Sequence, residues 1–105
     1  MSDQGSDETI VTVAHYRAQE GKDDEIAQLL ADYSQLVRAE PGCERFTAHR
    51  ASEDPREFVL FEQYRDKAAF DAHVESVHFL EIARDRIRPM LDSRDVMLYG
   101  GALET

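Results

Sequence analysis

Four histidines and one acid–phenol pair carry most of the chemistry that this 105-residue sequence offers. His73 follows Phe70 by three residues in a stretch with helical spacing, so both side chains belong to one helix face, the one turned to a sheet. An imidazole titrates near neutral pH and can take a proton from a bound substrate. The same residue can equally be a half-buried packing histidine that makes one hydrogen bond. His78 lies two residues past Ser76, a candidate helix cap. Backbone N–H groups at a helix start attract anions, so His78 could help hold an oxyanion there. Otherwise it is a helix-start residue at a pocket rim or a dimer edge. Glu62 and Tyr64 are two residues apart in a strand and point the same way. Facing a pocket, the pair could orient a phenolic substrate or relay a proton. The alternatives are that Tyr64 is pocket wall and that Glu62 pairs with Arg45 or Arg50 on the neighbouring strand.

The other reactive side chains read as structural. Tyr33 sits on the apolar stripe of a helix and faces the sheet, more as core than as catalyst. His15 and His49 are isolated strand residues at the sheet or an interface. His73 and His78 are five apart, which keeps them off one face of a regular helix, so no two-histidine metal site is expected. Arg84 and Arg88 are one turn apart with Asp85 and Asp92 nearby, which reads as a solvated face, with a phosphate site as the alternative. Cys43 is the single cysteine, so no intrachain disulfide or cysteine metal knuckle can form. It follows a Pro-Gly turn with only Arg45 as a cationic neighbour and reads as a buried, inert thiol.

Pattern then predicts the elements that hold these groups. Ile10 to Tyr16 is short and β-branched, a strand. Gly21 breaks the chain, and Asp23, Asp24 and Glu25 bring negative charge to a helix start. Ile26, Leu29, Leu30, Tyr33, Leu36 and Val37 recur at steps of one, three and four along one helix face, which Glu40-Pro41-Gly42 ends. Cys43 to Ala51 and Glu57 to Tyr64 form an antiparallel hairpin around a turn with Asp54 and Pro55 in its first positions. Asp66 caps a second helix along whose side lie Phe70, His73, Val74 and Val77. Ser76 offers a second cap, so the helix bends or restarts there. Phe79, Ile82, Ala83, Ile87 and Met90 continue the stripe until Pro89 and Asp92 end it, and Arg94 to Gly100 is a last strand. The order β-α-β-β-α-α-β predicts an α+β, ferredoxin-like split βαβ sandwich, a four-stranded antiparallel sheet with helices on one face. Length fits one domain over 10–105 behind a polar, acidic, disordered tail over 1–9.

The strands are apolar on both faces. Phe58 and Leu60 oppose Val59 and Phe61, Ile10 and Ala14 oppose Val11 and Val13, and Val96 and Leu98 oppose Met97 and Tyr99. Helices can cover one face only, and about four large side chains left bare would forfeit roughly 6–12 kcal/mol. That is comparable to the stability of such a domain. A homodimer, with the same face of a second copy as cover, is therefore expected; a looser monomer with a partly bare sheet is the alternative.

The run Glu40-Pro41-Gly42-Cys43, the strand Phe58 to Tyr64, Ala69-Phe70-Asp71-Ala72-His73 and Ser76-Val77-His78-Phe79 together resemble the antibiotic biosynthesis monooxygenase family, from about Ile10 to Tyr99. The resemblance implies a dimeric α+β barrel with a pocket between each sheet and its own helices. The side chains expected to carry catalysis in such a pocket are His73, Tyr64 and His78, with Glu62, Leu60, Tyr33, Phe70 and Phe79 binding substrate. Members of the family oxidise quinols or polyketide anthrones with O2 and neither metal nor flavin; others degrade haem or isomerise small signalling sugars. The haem-degrading branch uses an asparagine and a histidine where this chain has Ala14 and Ala83, so no axial haem ligand is expected. The leading expectation is a monooxygenase that needs no cofactor and acts on a small aromatic substrate with O2. An isomerase or other proton-transfer enzyme, or a non-catalytic ligand-binding dimer, are the alternatives.

Composition narrows the partners. With 42% hydrophobic residues the chain is not disordered. Its formal charge of −10 repels nucleic acid and anionic membrane. No apolar run has the length of a membrane span. Met1 to Glu8 lacks the basic and apolar regions of a secretory leader, which points to the cytoplasm.

Overall fold

A computed structural model describes residues 8–104. The tail expected over 1–9 therefore lies almost wholly outside the described residues. Four strands form one antiparallel sheet: β1 (Ile10–Ala18), β2 (Cys43–Arg50), β3 (Glu57–Tyr64) and β4 (Leu91–Tyr99), in the order β2-β3-β1-β4. Helix α1 (Asp23–Arg38) follows β1, and α2 (Lys67–Val74) follows β3. A third helix, α3 (Phe79–Ile87), is wound as a π-helix and runs through a short 3₁₀ turn (Arg88–Met90) into β4. This is the ferredoxin-like α+β fold with helices on one face of the sheet. Among the described residues no helix is long and apolar enough to cross a membrane.

Alternation along the strands decides which side is core. On β1, Thr12, Ala14, Tyr16 and Ala18 are buried, and on β3 Phe58, Leu60, Glu62 and Tyr64 are buried. Register aligns them, with Thr12 opposite Glu62, Ala14 opposite Leu60 and Tyr16 opposite Phe58. Ile26, Leu29, Leu30, Tyr33 and Val37 of α1 close over this face. Leu36, expected on the same stripe, is instead 45% exposed, because it lies at the stripe's edge. Two strands run further than the sequence suggests. β1 continues to Ala18, and β4 begins at Leu91 rather than Arg94, since Ala18 pairs with Leu91 across a register shift.

Three local devices set the helical layer. Gly21 takes a positive φ of 86° between β1 and α1, a conformation that side chains disfavour. Asp66 caps α2, its Oδ1 accepting from the Ala69 N–H at 2.8 Å. Ser76 interrupts the helix that follows: its Oγ donates to the His73 carbonyl at 2.7 Å and accepts from the Phe79 N–H at 3.2 Å. The chain restarts there, and Val77, expected on the inward side, turns outward at 67% exposure.

Candidate functional site

Between the sheet and the α2–α3 layer lies a cavity of about 80 Å³. Leu60, Phe70, Phe79 and Val74 supply apolar wall, and the small side chains of Ala14 and Ala83 face into it from opposite layers. Thus the two alanines that depart from the haem-degrading pattern are the residues that leave room. Tyr33, Glu62 and His73 are its polar lining towards the core. Arg94 of β4 borders the cavity and is solvent-exposed, so the cavity opens to solvent beside it.

His73 is 2% exposed and hydrogen-bonded through both ring nitrogens. Nδ1 lies 2.8 Å from Glu40 Oε2, and Nε2 lies 3.3 Å from the Tyr33 hydroxyl and 3.7 Å from Glu62 Oε1. A carboxylate can only accept, so the network assigns the ring proton to Nδ1 and leaves Nε2 as a lone pair. Burial lowers the His73 pKa, against the opposing pull of Glu40. Burial raises Glu62 to about 7, although the Tyr64 hydroxyl donates to its Oε1 at 2.7 Å. Both shifts favour neutral acid beside neutral imidazole over an ion pair. Burial likewise pushes the Tyr33 and Tyr64 phenols well above their usual range.

Glu40 is the residue that the sequence reading passed over. It stands in a Glu-Pro-Gly turn and reads as a helix stop, yet its Oε2 also lies 2.5 Å from His78 Nε2. The two imidazoles, expected to be kept apart by their five-residue spacing, meet on this one carboxylate, because the break at Glu75-Ser76 folds the chain back. Glu40 Oε2, His73 Nδ1 and His78 Nε2 all lie within 4.8 Å of one another, the composition of a three-ligand metal site. Their spacing is that of hydrogen bonds. Two tetrahedral ligands at ~2.0–2.1 Å from zinc stand roughly 3.3 Å apart, wider than either nitrogen stands from Oε2.

Other expectations meet different outcomes. His78 backs Glu40 and does not border the cavity. Tyr64 is fully buried behind Glu62 and does not border it either. Glu62 does not pair with Arg45 or Arg50. Its register partner on β2 is Phe46, strand alternation turns Arg45 to the other face, and Arg50 pairs with Asp23 and Asp24. Arg84 pairs with Asp85 in solvent, but Arg88 leaves that face, half-buries at the cavity and lies over the Phe79 ring. Cys43 is half-buried, and burial pushes its thiol up to about 11, an unreactive state at neutral pH. Thr12 and Arg94 also line the cavity, and only the sheet register, invisible to single-strand pattern, brings them there.

Comparison with known proteins adds lineage to this geometry. A putative antibiotic biosynthesis monooxygenase from Nitrosomonas europaea is 27% identical, with a TM-score of 0.85 over 100% of this chain and 99% of that one. PA3566 from Pseudomonas aeruginosa is 25% identical, with a TM-score of 0.83 over 92% of this chain and 97% of that one. SnoaB, a cofactor-independent oxygenase from Streptomyces nogalater, is 20% identical with a TM-score of 0.80 over 93% and 96%; at that identity the likeness speaks for fold alone. An uncharacterized Synechocystis protein, sll1783, is 24% identical over 95 residues, 90% of this chain but 65% of that protein's length. The family model for antibiotic biosynthesis monooxygenases matches residues 9–85, from the start of the first strand through most of the helical layer that walls the cavity, and the chain belongs to that family.

Proposed function

We propose that the cavity oxidises a small phenolic or quinol-like ring with O2, using no metal or flavin. The observation that carries this reading is the lone pair of His73 Nε2, backed through Nδ1 by Glu40 and set beside a carboxyl that titrates near 7. A base poised near working pH is what phenol deprotonation needs. The ring hydroxyl gives its proton to His73. The resulting anion passes one electron to O2, and superoxide recombines with the ring carbon to form a C–O bond. The peroxide then loses water: one oxygen atom remains as a carbonyl, the other leaves with both hydrogens lost by the ring. The substrate supplies every electron. Buried walls keep the anion dry.

Size limits the substrate. At about 80 Å³ the cavity is smaller than the ~150 Å³ that takes up benzene, so it encloses at most part of one ring, and the rest of the substrate extends towards the mouth. A second reading, proton-transfer or isomerase catalysis, is favoured by the acid and base standing 3.7 Å apart.

Oxygen uptake and product formation by metal-stripped protein, with a panel of quinols and anthrones, test both readings. Oxygenation predicts uptake matched to product and none under nitrogen; conversion under nitrogen supports isomerisation, and saturable binding without conversion sinks both. Glu40→Gln gives the sharper check. Its amide can donate to Nδ1 and push the ring proton to Nε2, removing the base. Turnover should fall by roughly 10²–10⁴, with the changed tautomer visible in ¹⁵N spectra of His73. Undiminished turnover would reject His73 as the base.

A further inference from the structure

We propose that the natural ligand carries a carboxylate, held at the mouth by Arg88 and Arg94, while its ring hydroxyl turns inward to Glu62 and Thr12. The identity of that hydroxyl as the reacting group rests on the oxygenase reading above; the anion site does not.

Two guanidinium groups line one small cavity and repel each other. Among the described residues neither has a carboxylate oxygen within 4.0 Å; Arg38, Arg45 and Arg86 lack one too, but Arg88 and Arg94 share one cavity wall. The chain has 22 acidic side chains against 12 basic ones, yet the polar neighbour of Arg94 at the cavity is the uncharged Tyr16 hydroxyl. Arg88 is half-buried, and burial followed by the charge of Arg94 lowers its pKa. An anion between them would relieve both penalties, and a planar fork suits a carboxylate well.

The inner end needs a different group. Thr12 is 3% exposed, lines the cavity, and its Oγ1 is buried with no hydrogen-bond partner among the described residues. An orphaned buried hydroxyl on a residue of the cavity wall calls for a partner. Thr12 is the register partner of Glu62, so the two side chains flank one point on the sheet. Arg94 is the register partner of Tyr16, four residues along the same strand, or roughly 13 Å at the usual rise. Ala14 lies midway and faces Ala83, leaving a slot for a ring. A hydroxyl, a flat ring and a carboxylate reached by long arginine side chains fill that sequence in order.

Calorimetric titration compares 2,5-dihydroxybenzoate, its neutral methyl ester and hydroquinone, each with oxygen excluded. The acid should bind about 10- to 100-fold more tightly than the ester, and added salt should shrink the difference. Arg94→Gln, at an exposed position, should reduce the preference to a few-fold. Arg88→Lys should keep part of it, and Thr12→Val should weaken all three ligands. Equal affinity for acid and ester, no binding of the acid at millimolar concentration, or a preference untouched by Arg94→Gln would overturn the anion site. Oxygen uptake assayed afterwards separates the two ideas: tight acid binding without uptake sinks the oxygenase reading alone, and uptake confined to uncharged quinols with no acid preference sinks the anion site alone.

Discussion

Glu62 is a carboxyl placed where a charge is costly, and that cost can be measured. Burial lifts its pKa from 4.5 to about 7, so the native state holds a proton that the unfolded chain has already released. Stability must therefore fall as pH rises from about 4.5 to about 7 and level off above, by up to about 3 kcal/mol. His73 acts in the opposite sense: burial lowers its pKa, so stability is lost as pH falls below its ordinary 6.5. Glu62→Gln removes the first effect and keeps the second. Urea unfolding of both proteins should show the variant gaining on the wild type by about 1–3 kcal/mol between pH 4.5 and pH 8, and a gap that stays constant would mean that Glu62 is not desolvated. At this scale the sequence revealed residue types and hid their partners. Phe70, His73 and Glu62 could be assigned to inward faces from period alone. Glu40 could not, because a glutamate before Pro-Gly looks like a helix end, and its task arises only when two distant helices converge on it.

The convergence depends on how the elements touch. Gly42 packs so closely on the start of α2 that an added Cβ would stand 2.2 Å from Ala69 Cβ. The contact is reinforced by the Arg65 N–H donating to the Gly42 carbonyl at 2.9 Å. Two residues upstream, Glu40 takes its position from this seam. Gly42→Ala should cost roughly 1–3 kcal/mol, as overpacking does, and Ala69→Gly should recover part of the loss in the double variant. Denaturant unfolding of the four proteins measures the coupling; simple additivity would show that the seam is looser than drawn. Much of the element layer was legible beforehand. β-branched runs marked the strands, Asp66 and Ser76 marked the caps, and β3 spans Glu57–Tyr64 as its pattern suggests. What escaped was the winding of α3. Its cap N–H bonds five residues back, from Arg88 to Ala83, a wider turn than the 3.6-residue period assumes. A helix read at the ordinary period leaves Arg88 beside Arg84 in solvent, whereas the wider turn carries it round to the cavity.

Opposite the helices, the sheet presents a second apolar surface that no helix among the described residues covers. Register sets Met97, Val13 and Phe61 in one row, with Tyr99 beside Val11 above it and Val59 beside His15 below. Met97 is 53% and Tyr99 48% exposed, at the edge of that patch. We propose that a second copy covers it, sheet against sheet, at the ~10 Å spacing of packed sheets. The predicted species in sedimentation is about 24 kDa, twice the 12.0 kDa chain. Phe61→Glu would set a charge in the centre of the joint and should yield folded monomer with its melting temperature lowered and no longer dependent on concentration. Each chain carries a formal charge of −10, so association also works against long-range repulsion. Raising salt from about 0.05 to 0.5 M screens that repulsion and should tighten the dimer, while leaving the apolar contact intact. A wild-type protein that sediments as one 12.0 kDa chain at every salt concentration would show that the bare sheet is tolerated and the pairing is wrong.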